Sequence, residues 1–301
     1  MLERFKHLID DPLPLLLFEI SEQAVAAVRR NHRTLQAEAR AFQPLPPGVV
    51  EASPGKQNVH NPEALALAVE SLLEELGPAR RADAALIVPD GCSRMTLLEF
   101  DKLPLDPKER LALIRFRVKK TVPFDVEFAQ IAYQPQKTVA GLTLLVAVTP
   151  TEVVKQYEAP LRAAGLQPGF VSPSAAMALN LMPDGEMTLF VKTAKRTLTM
   201  AVLEGPTVRL LRSVDMAPRE DLSSREMLAD MVADLYPTFV FIEDNLGASV
   251  SKMVICGFDE LLEPALEFLP AELGCTVEPL RSPAGIVTGR EAGILGYMSV
   301  H

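Results

Sequence analysis

Apolar positions recur along the chain in two patterns, short continuous or alternating runs and stretches with helical spacing, and their order sets the expected elements. Pro14–Ile20 is an apolar run of strand length, SEQAVAAVRR supplies a second strand after a polar turn, and Arg33–Phe42 a third. Pro44–Pro62 is rich in Pro and Gly and reads as loop, with a short extended piece at Val49–Val50. Asn61 and Pro62 are then an N-cap and a first helical residue. Leu65, Val69, Leu72, Leu73 and Leu76 recur on one face, and Gly77 closes the helix. Ala84–Val88 and Ser93–Phe100 read as strands. Asp106 and Pro107 start a second helix that stops before Pro123, with Leu111, Ile114 and Val118 facing inward. Strands at Ala129–Gln134 and Thr143–Val148, a helix at Pro150–Ala164, a strand in LQPGFVS and a helix at Pro173–Leu181 complete this part.

The opening pattern then recurs. Met187–Val191, Thr197–Leu203 and Thr207–Ser213 form a meander turned by Glu204–Gly205–Pro206. Ser223–Asn245 is a long helix with a bend expected at Pro237. Met253–Cys256, Asp259–Leu269, Gly274–Val277 and Arg290–Val300 read as strand, helix, strand and helix. Meander, helix, strand in each half is an internal duplication.

Composition narrows the function classes. The 301 residues carry 30 Lys+Arg against 39 Asp+Glu, a net charge of −9, which disfavours phosphate-backbone binding, so no nucleic-acid partner is expected. Trp is absent and aromatics are 6%, too few for base- or sugar-stacking platforms. Cys92, Cys256 and Cys275 are far apart with no paired spacing, and His7, His32, His60 and His301 show no ligand spacing, so neither a disulfide framework nor a metal site is expected. The start MLERFKHLIDDPLPLLLFEIS is interrupted by Asp10, Asp11, Pro12 and Pro14 and reads as neither a secretion signal nor a membrane span, which points to a cytosolic chain.

Three segments carry a resemblance that spans nearly the whole chain. They are PEALALAVESLLEELGP before a strand ending at Pro89, then LPLDPKERLALIRFRVKKTVPFDVEFAQIAYQ, then TLLVAVTPTEVVKQYEAPLRAAGLQPGFVSPSAAMAL. In order and spacing they resemble the actin-like ATPase superfamily and, within it, the PilM-like proteins of type IV pilus assembly. The resemblance implies an α/β, actin-like (ribonuclease H-like) fold of two duplicated halves, residues 1–185 and 186–301. An α/β subdomain is inserted at about 82–167 and the final helix returns to the first half.

It also implies nucleotide-binding turns, which need glycines so that backbone N–H groups can reach phosphate, and acidic residues to hold a hydrated cation. In this chain all three turns depart from that requirement. Glu19 and Ser21 stand at the first where Asp and Gly belong. Lys192 and Ala194 stand at the second where Asp and Gly belong, and Gly257 is followed by Phe258 where a Gly–Gly pair belongs. Lysine cannot ligate Mg²⁺, though it can pair with phosphate, and Phe258 would crowd a purine unless it stacked on it. A degenerate nucleotide site is therefore expected, with no catalytic residue, no metal and no required cofactor. The alternative is an active or nucleotide-gated ATPase of the same fold and machinery, with ATP bound through Lys192 without strong Mg²⁺ dependence.

The functional expectation is a cytoplasmic scaffold of a pilus or secretion assembly, reaching the membrane only through its partner. PilM-like proteins receive the cytoplasmic tail of a membrane-anchored PilN in a groove beside the inserted subdomain, and other assembly components are further candidate partners. Phe116, Val122 and Phe124 are the candidate apolar lining. The basic run Arg115, Arg117, Lys119 and Lys120, extended by Lys108 and Arg110, reads first as a solvated helix face and second as a surface for anionic lipid or an acidic partner. A filament-forming, division-type actin homologue is the remaining alternative.

Overall fold

The computed structural model describes residues 13–55, 57–78, 81–138, 141–216 and 222–300; residues 1–12 of the targeting reading, with His7, and also His301 lie outside them. The chain divides into two compact units, Met1–Asn180 with Arg290–His301, and Leu181–Gly289.

In the first unit, β1 (Leu16–Ile20), β2 (Ala24–Arg30) and β3 (Ala37–Pro44) form the antiparallel meander. β4 (Asp83–Val88) pairs parallel with β1, and β8 (Gln167–Pro173) parallel with β4, giving the order β3-β2-β1-β4-β8. Strand alternation splits the buried side chains between two faces. Leu16, Phe18 and Ile20 pack under α1 (Pro62–Leu76) and α3 (Thr151–Ala163). Leu17 and Ile87 face α4 (Ser174–Ala178) and the final helix α7 (Ala292–Ser299), which buries Ile294 and Tyr297 against them. α1 begins where the sequence places it, with the Asn61 side chain accepting from the Ala64 N–H at 3.0 Å and Pro62 in the first turn.

Between β4 and α3 lies an antiparallel layer of β5 (Arg94–Phe100), β6 (Ala129–Thr138) and β7 (Gly141–Pro150), ordered β5-β7-β6, with α2 (Pro107–Val118) on it. It has its own core of Leu98, Phe100, Ile114, Val118, Leu144, Val146 and Val148. This layer is narrower than the expected 82–167, because β4 belongs to the main sheet by its pairing with β1, and α3 shares the main core. α2 is capped by Asp106, which accepts from the Lys108 N–H at 2.6 Å.

The second unit repeats the topology. β9 (Thr188–Ala194), β10 (Thr197–Glu204), β11 (Thr207–Asp215), β12 (Lys252–Cys256) and β13 (Thr276–Pro279) lie in the order β11-β10-β9-β12-β13, with the same antiparallel and parallel pairings. Leu189, Val191, Met200 and Ile255 pack under α5 (Ser224–Leu246) and α6 (Leu262–Leu273). α5 opens with a capping box of Ser223 and Glu226, runs on through Pro237 and ends at Gly247 in the left-handed conformation. Two elements differ from the sequence expectation. Pro173–Leu181 divides into α4 and a 3-10 turn, and Asp259–Leu261 is a 3-10 turn before α6.

α7 docks through two glycines. A Cβ on Gly296 would overlap the Met177 carbonyl, and one on Gly293 would overlap the Ile87 side chain. Gly296→Ala is expected to lower the unfolding free energy by about 1–3 kcal/mol through overpacking, whereas Gly169→Ala, where a Cβ meets open space, should be nearly neutral. Urea denaturation of the two variants checks the contrast.

Candidate functional site

A groove of ≈ 800 Å³ opens in the first unit. One wall is the start of α1, with Pro62, Leu65 and Ala66, and the other is α3, with Val153, Gln156, Ala159 and Ala163. The turn after α2 supplies Phe124, Asp125 and Phe128 at its mouth. Phe128 is 74% exposed beside this opening, an unusual place for an aromatic ring unless something covers it.

Polar side chains hold the walls. Gln156 accepts through Oε1 from the N–H groups of Asn58 (2.7 Å) and Val59 (3.0 Å), pinning the 50–60 loop to α3. Buried Tyr157 donates its hydroxyl to Asn58 Oδ1 at 2.9 Å, and Asn58 Nδ2 donates to the Ser53 carbonyl at 2.8 Å. Burial raises the Tyr157 pKa well above the ordinary phenol value, so the hydroxyl stays a donor at neutral pH. At the mouth, Asp125 caps a 3-10 turn by accepting from the Glu127 N–H at 3.0 Å, and Glu152 pairs with Lys155 at 2.7 Å. The groove is thus a braced, largely apolar channel with carboxylates at its edge, suited to an extended peptide bearing apolar side chains.

Of the three residues proposed from sequence, Phe124 lines the groove. Val122 packs half-buried against the core of the inserted layer, and Phe116 stands exposed on α2. Phe128, Gln156 and Ala159 were missed. Phe128 lies in the same VPFDVEF turn as Phe124, so the turn was legible as a unit, but the α3 wall follows only from its packing beside α1.

The nucleotide-turn residues are engaged internally. Alternation along β1 turns Glu19 toward α7, where it is 1% exposed. Its Oε1 accepts from the Ser174 hydroxyl at 2.5 Å and the Gly293 N–H at 3.2 Å, and its Oε2 accepts from the Ile294 N–H at 2.9 Å. Glu19 therefore caps the first turn of α7 across the sheet, as a negative charge at a helix N-terminus. Asp90 acts in the same way on α4, accepting from the Ala175 N–H at 2.6 Å. The Ser21 hydroxyl closes its own turn, donating to the Ala24 carbonyl and accepting from the Ala24 N–H, both at 3.0 Å.

In the second unit, Lys192 is buried on β9, paired in register with Thr199 and Cys256 on the face opposite the α5–α6 core. Ala194 ends the same strand. Gly257 has φ +77°, and a Cβ there would overlap the Thr193 carbonyl, while the Thr193 hydroxyl donates to the Gly257 carbonyl. A Cβ on Gly289 would lie 2.7 Å from the Gly257 Cα, so this turn is backed on two sides by protein. The Phe258 ring is part of the hydrophobic core of the second unit. Within each unit, the carboxylate of Glu19, the hydroxyl of Ser21 and the ring of Phe258 are directed at protein groups.

Cys92, Cys256 and Cys275 are buried and free, and burial pushes the Cys92 thiol up to about 12. No cluster of metal-ligating side chains occurs among the described residues.

Glu19→Ala would leave two helix N–H groups and the Ser174 hydroxyl without their buried acceptor, so a loss of about 2–4 kcal/mol is expected, with Glu19→Gln, which keeps one acceptor, costing about half. Equilibrium unfolding with and without Mg-ATP measures this. The loss should be independent of nucleotide.

No family model matches the chain, and no curated protein matches it. Solved structures do. A structure described as a PilM–PilN type IV pilus biogenesis complex superposes with TM-score 0.79 at 19% identity, covering 97% of this chain and 100% of that one. A Bacteroides thetaiotaomicron protein of actin-like ATPase fold and unknown function gives 0.54 at 8% identity over 95% of both chains. The ethanolamine utilization protein EutJ of Carboxydothermus hydrogenoformans gives 0.51 at 11%, over 96% of this chain and 91% of its own. At such identities the likeness establishes architecture alone: the chain has the actin-like α/β fold.

Proposed function

We propose that the protein is a cytoplasmic, non-catalytic scaffold of a type IV pilus or related secretion assembly. It holds the cytoplasmic tail of a PilN-like membrane protein in the groove between α1, α3 and the Phe124–Phe128 turn. The observation that carries this reading is the groove itself, apolar inside, braced by Gln156 and Asn58, and flanked by the exposed Phe128 ring. The fold supports it, since the pilus biogenesis structure that it matches pairs the same architecture with PilN.

The second part of the proposal is that the nucleotide turns have lapsed. Three of the five departures from the acidic, glycine-containing pattern are matched by an internal role: Glu19 caps α7, Ser21 closes a turn, and Phe258 fills a core. A group recruited into folding in this way is not free to bind a ligand at low cost. The membrane is reached through the partner, and no nucleic-acid role is proposed.

Calorimetric titration with a synthetic peptide of the cytoplasmic tail of a PilN-like single-span membrane protein from the same organism tests the first part. The expected result is one-to-one binding, weakened about tenfold by Phe128→Ala through lost apolar contact and abolished by Ala159→Trp, which fills the groove. No heat with the natural chain, or unchanged binding by both variants, rejects it. For the second part, Mg-ATP at millimolar concentration should leave the melting temperature within about 1 °C, because only a ligand bound to the native state raises it. A rise of several degrees rejects the lapsed site.

A further inference from the structure

Two exposed helix faces, one in each unit, are complementary in charge. On α5 the buried stripe is Leu228, Met231, Leu235, Thr238 and Ile242. The opposite side carries a second apolar stripe of Ala233, Tyr236, Pro237, Val240 and Phe241, at i, i+3, i+4, i+7 and i+8. Tyr236 is 64% exposed, and Val240 and Phe241 38% each. Acidic residues bracket this stripe, Asp230 before it and Glu243 and Asp244 after it. Ser224–Leu246 holds one Arg against five Asp and Glu, 1 − 5 = −4.

On α2 the position facing away from Ile114 and Val118 is Phe116, 67% exposed. Lysines bracket it, Lys108 before and Lys119 and Lys120 after. Residues 107–120 hold six Lys and Arg against one Glu, 6 − 1 = +5, in a chain whose net charge is −9. At 1.5 Å rise per residue, Lys108 and Lys119 lie about 17 Å apart along α2, and Asp230 and Glu243 about 20 Å apart along α5. Each face thus has an apolar centre and charged ends, with the signs opposed and the spacings matched. A solvated helix face explains lysines on α2 but leaves unexplained an outward Phe there and a three-turn apolar stripe on α5.

We propose that these two faces recognise each other between copies of this chain, α2 of one molecule lying on α5 of the next. Phe116 inserts among Tyr236, Val240 and Phe241, while the lysines meet the bracketing carboxylates. The contact is heterologous, since two different surfaces meet, so a pair of copies still carries one unfilled face of each kind, one on each copy, and addition continues into a ring or an open chain. None of these residues lines the peptide groove, so the proposal stands apart from the reading of that groove.

Sedimentation velocity on the full chain tests it. The natural chain should show a weight-average mass that rises with concentration, and moving from about 50 to about 500 mM salt should weaken the association at least tenfold, since the attraction is partly between exposed charges. Two variants with intact α5 or intact α2 decide the geometry. Phe116→Ser with Lys119→Glu and Lys120→Glu disables α2, and Tyr236→Lys with Val240→Lys disables α5. All five positions are exposed, and circular dichroism confirms that each variant is folded. Each variant alone should be monomeric. Mixed, they should form a dimer that grows no further, because the mixture holds one working face of each kind. A natural chain that stays monomeric at every concentration and salt overturns the proposal, whether α2 then binds anionic vesicles or α5 a basic helix of another protein. So do variants that associate like the natural chain, or a mixture that yields no dimer.

Discussion

A single carboxylate ties the two ends of the first unit together. Glu19 lies on the central strand, and the Gly293 N–H that it accepts from lies 274 residues later in the chain. α7 has eight residues, too few to be stable by itself, and its first N–H groups have no partner within the helix. The Glu19 oxygens supply those acceptors, the Ser174 hydroxyl satisfies the remaining bonding direction, and Gly293 and Gly296 let the backbone approach closely enough for the bonds to form. A buried carboxylate is tolerated only when it is bonded on this scale. The carboxylate and the helix terminus therefore satisfy each other inside the first unit.

The inserted layer places a turn over the main core without adding to the main sheet. Because β5, β6 and β7 with α2 bury their own core, the Phe124–Phe128 turn can project over the α1–α3 surface without contributing to the main sheet. The loop on the other side is held by Gln156 and Asn58, so the groove is shaped before any ligand arrives, which lowers the ordering cost of binding. Tyr157 serves both sides, with its ring in the main core and its hydroxyl in the loop network.

Much of this was legible in the residues themselves. Asn61–Pro62 and Asp106–Pro107 mark helix starts by local hydrogen bonding, and the structure uses each as a cap. The repeated meander followed by helix and strand follows from period-two and period-3.6 patterning, and both sheets have the corresponding strand order. These features depend on neighbours within about one helical turn or across one hairpin, which is the range that sequence pattern reports.

What the tertiary structure decided depends on contacts between distant positions. Glu19 reads as an imperfect cation ligand until α7 is placed against it, and Phe258 as an obstruction until its ring is found in the core of the second unit. Phe116, Val122 and Phe124 look alike in sequence because all three lie near one helix end. Packing sends one outward, one against the inserted core and one into the groove. The sequence by itself determined which segments fold into which elements, because that choice is local. The partner of each buried polar group was settled only when elements far apart in the chain came within hydrogen-bond reach.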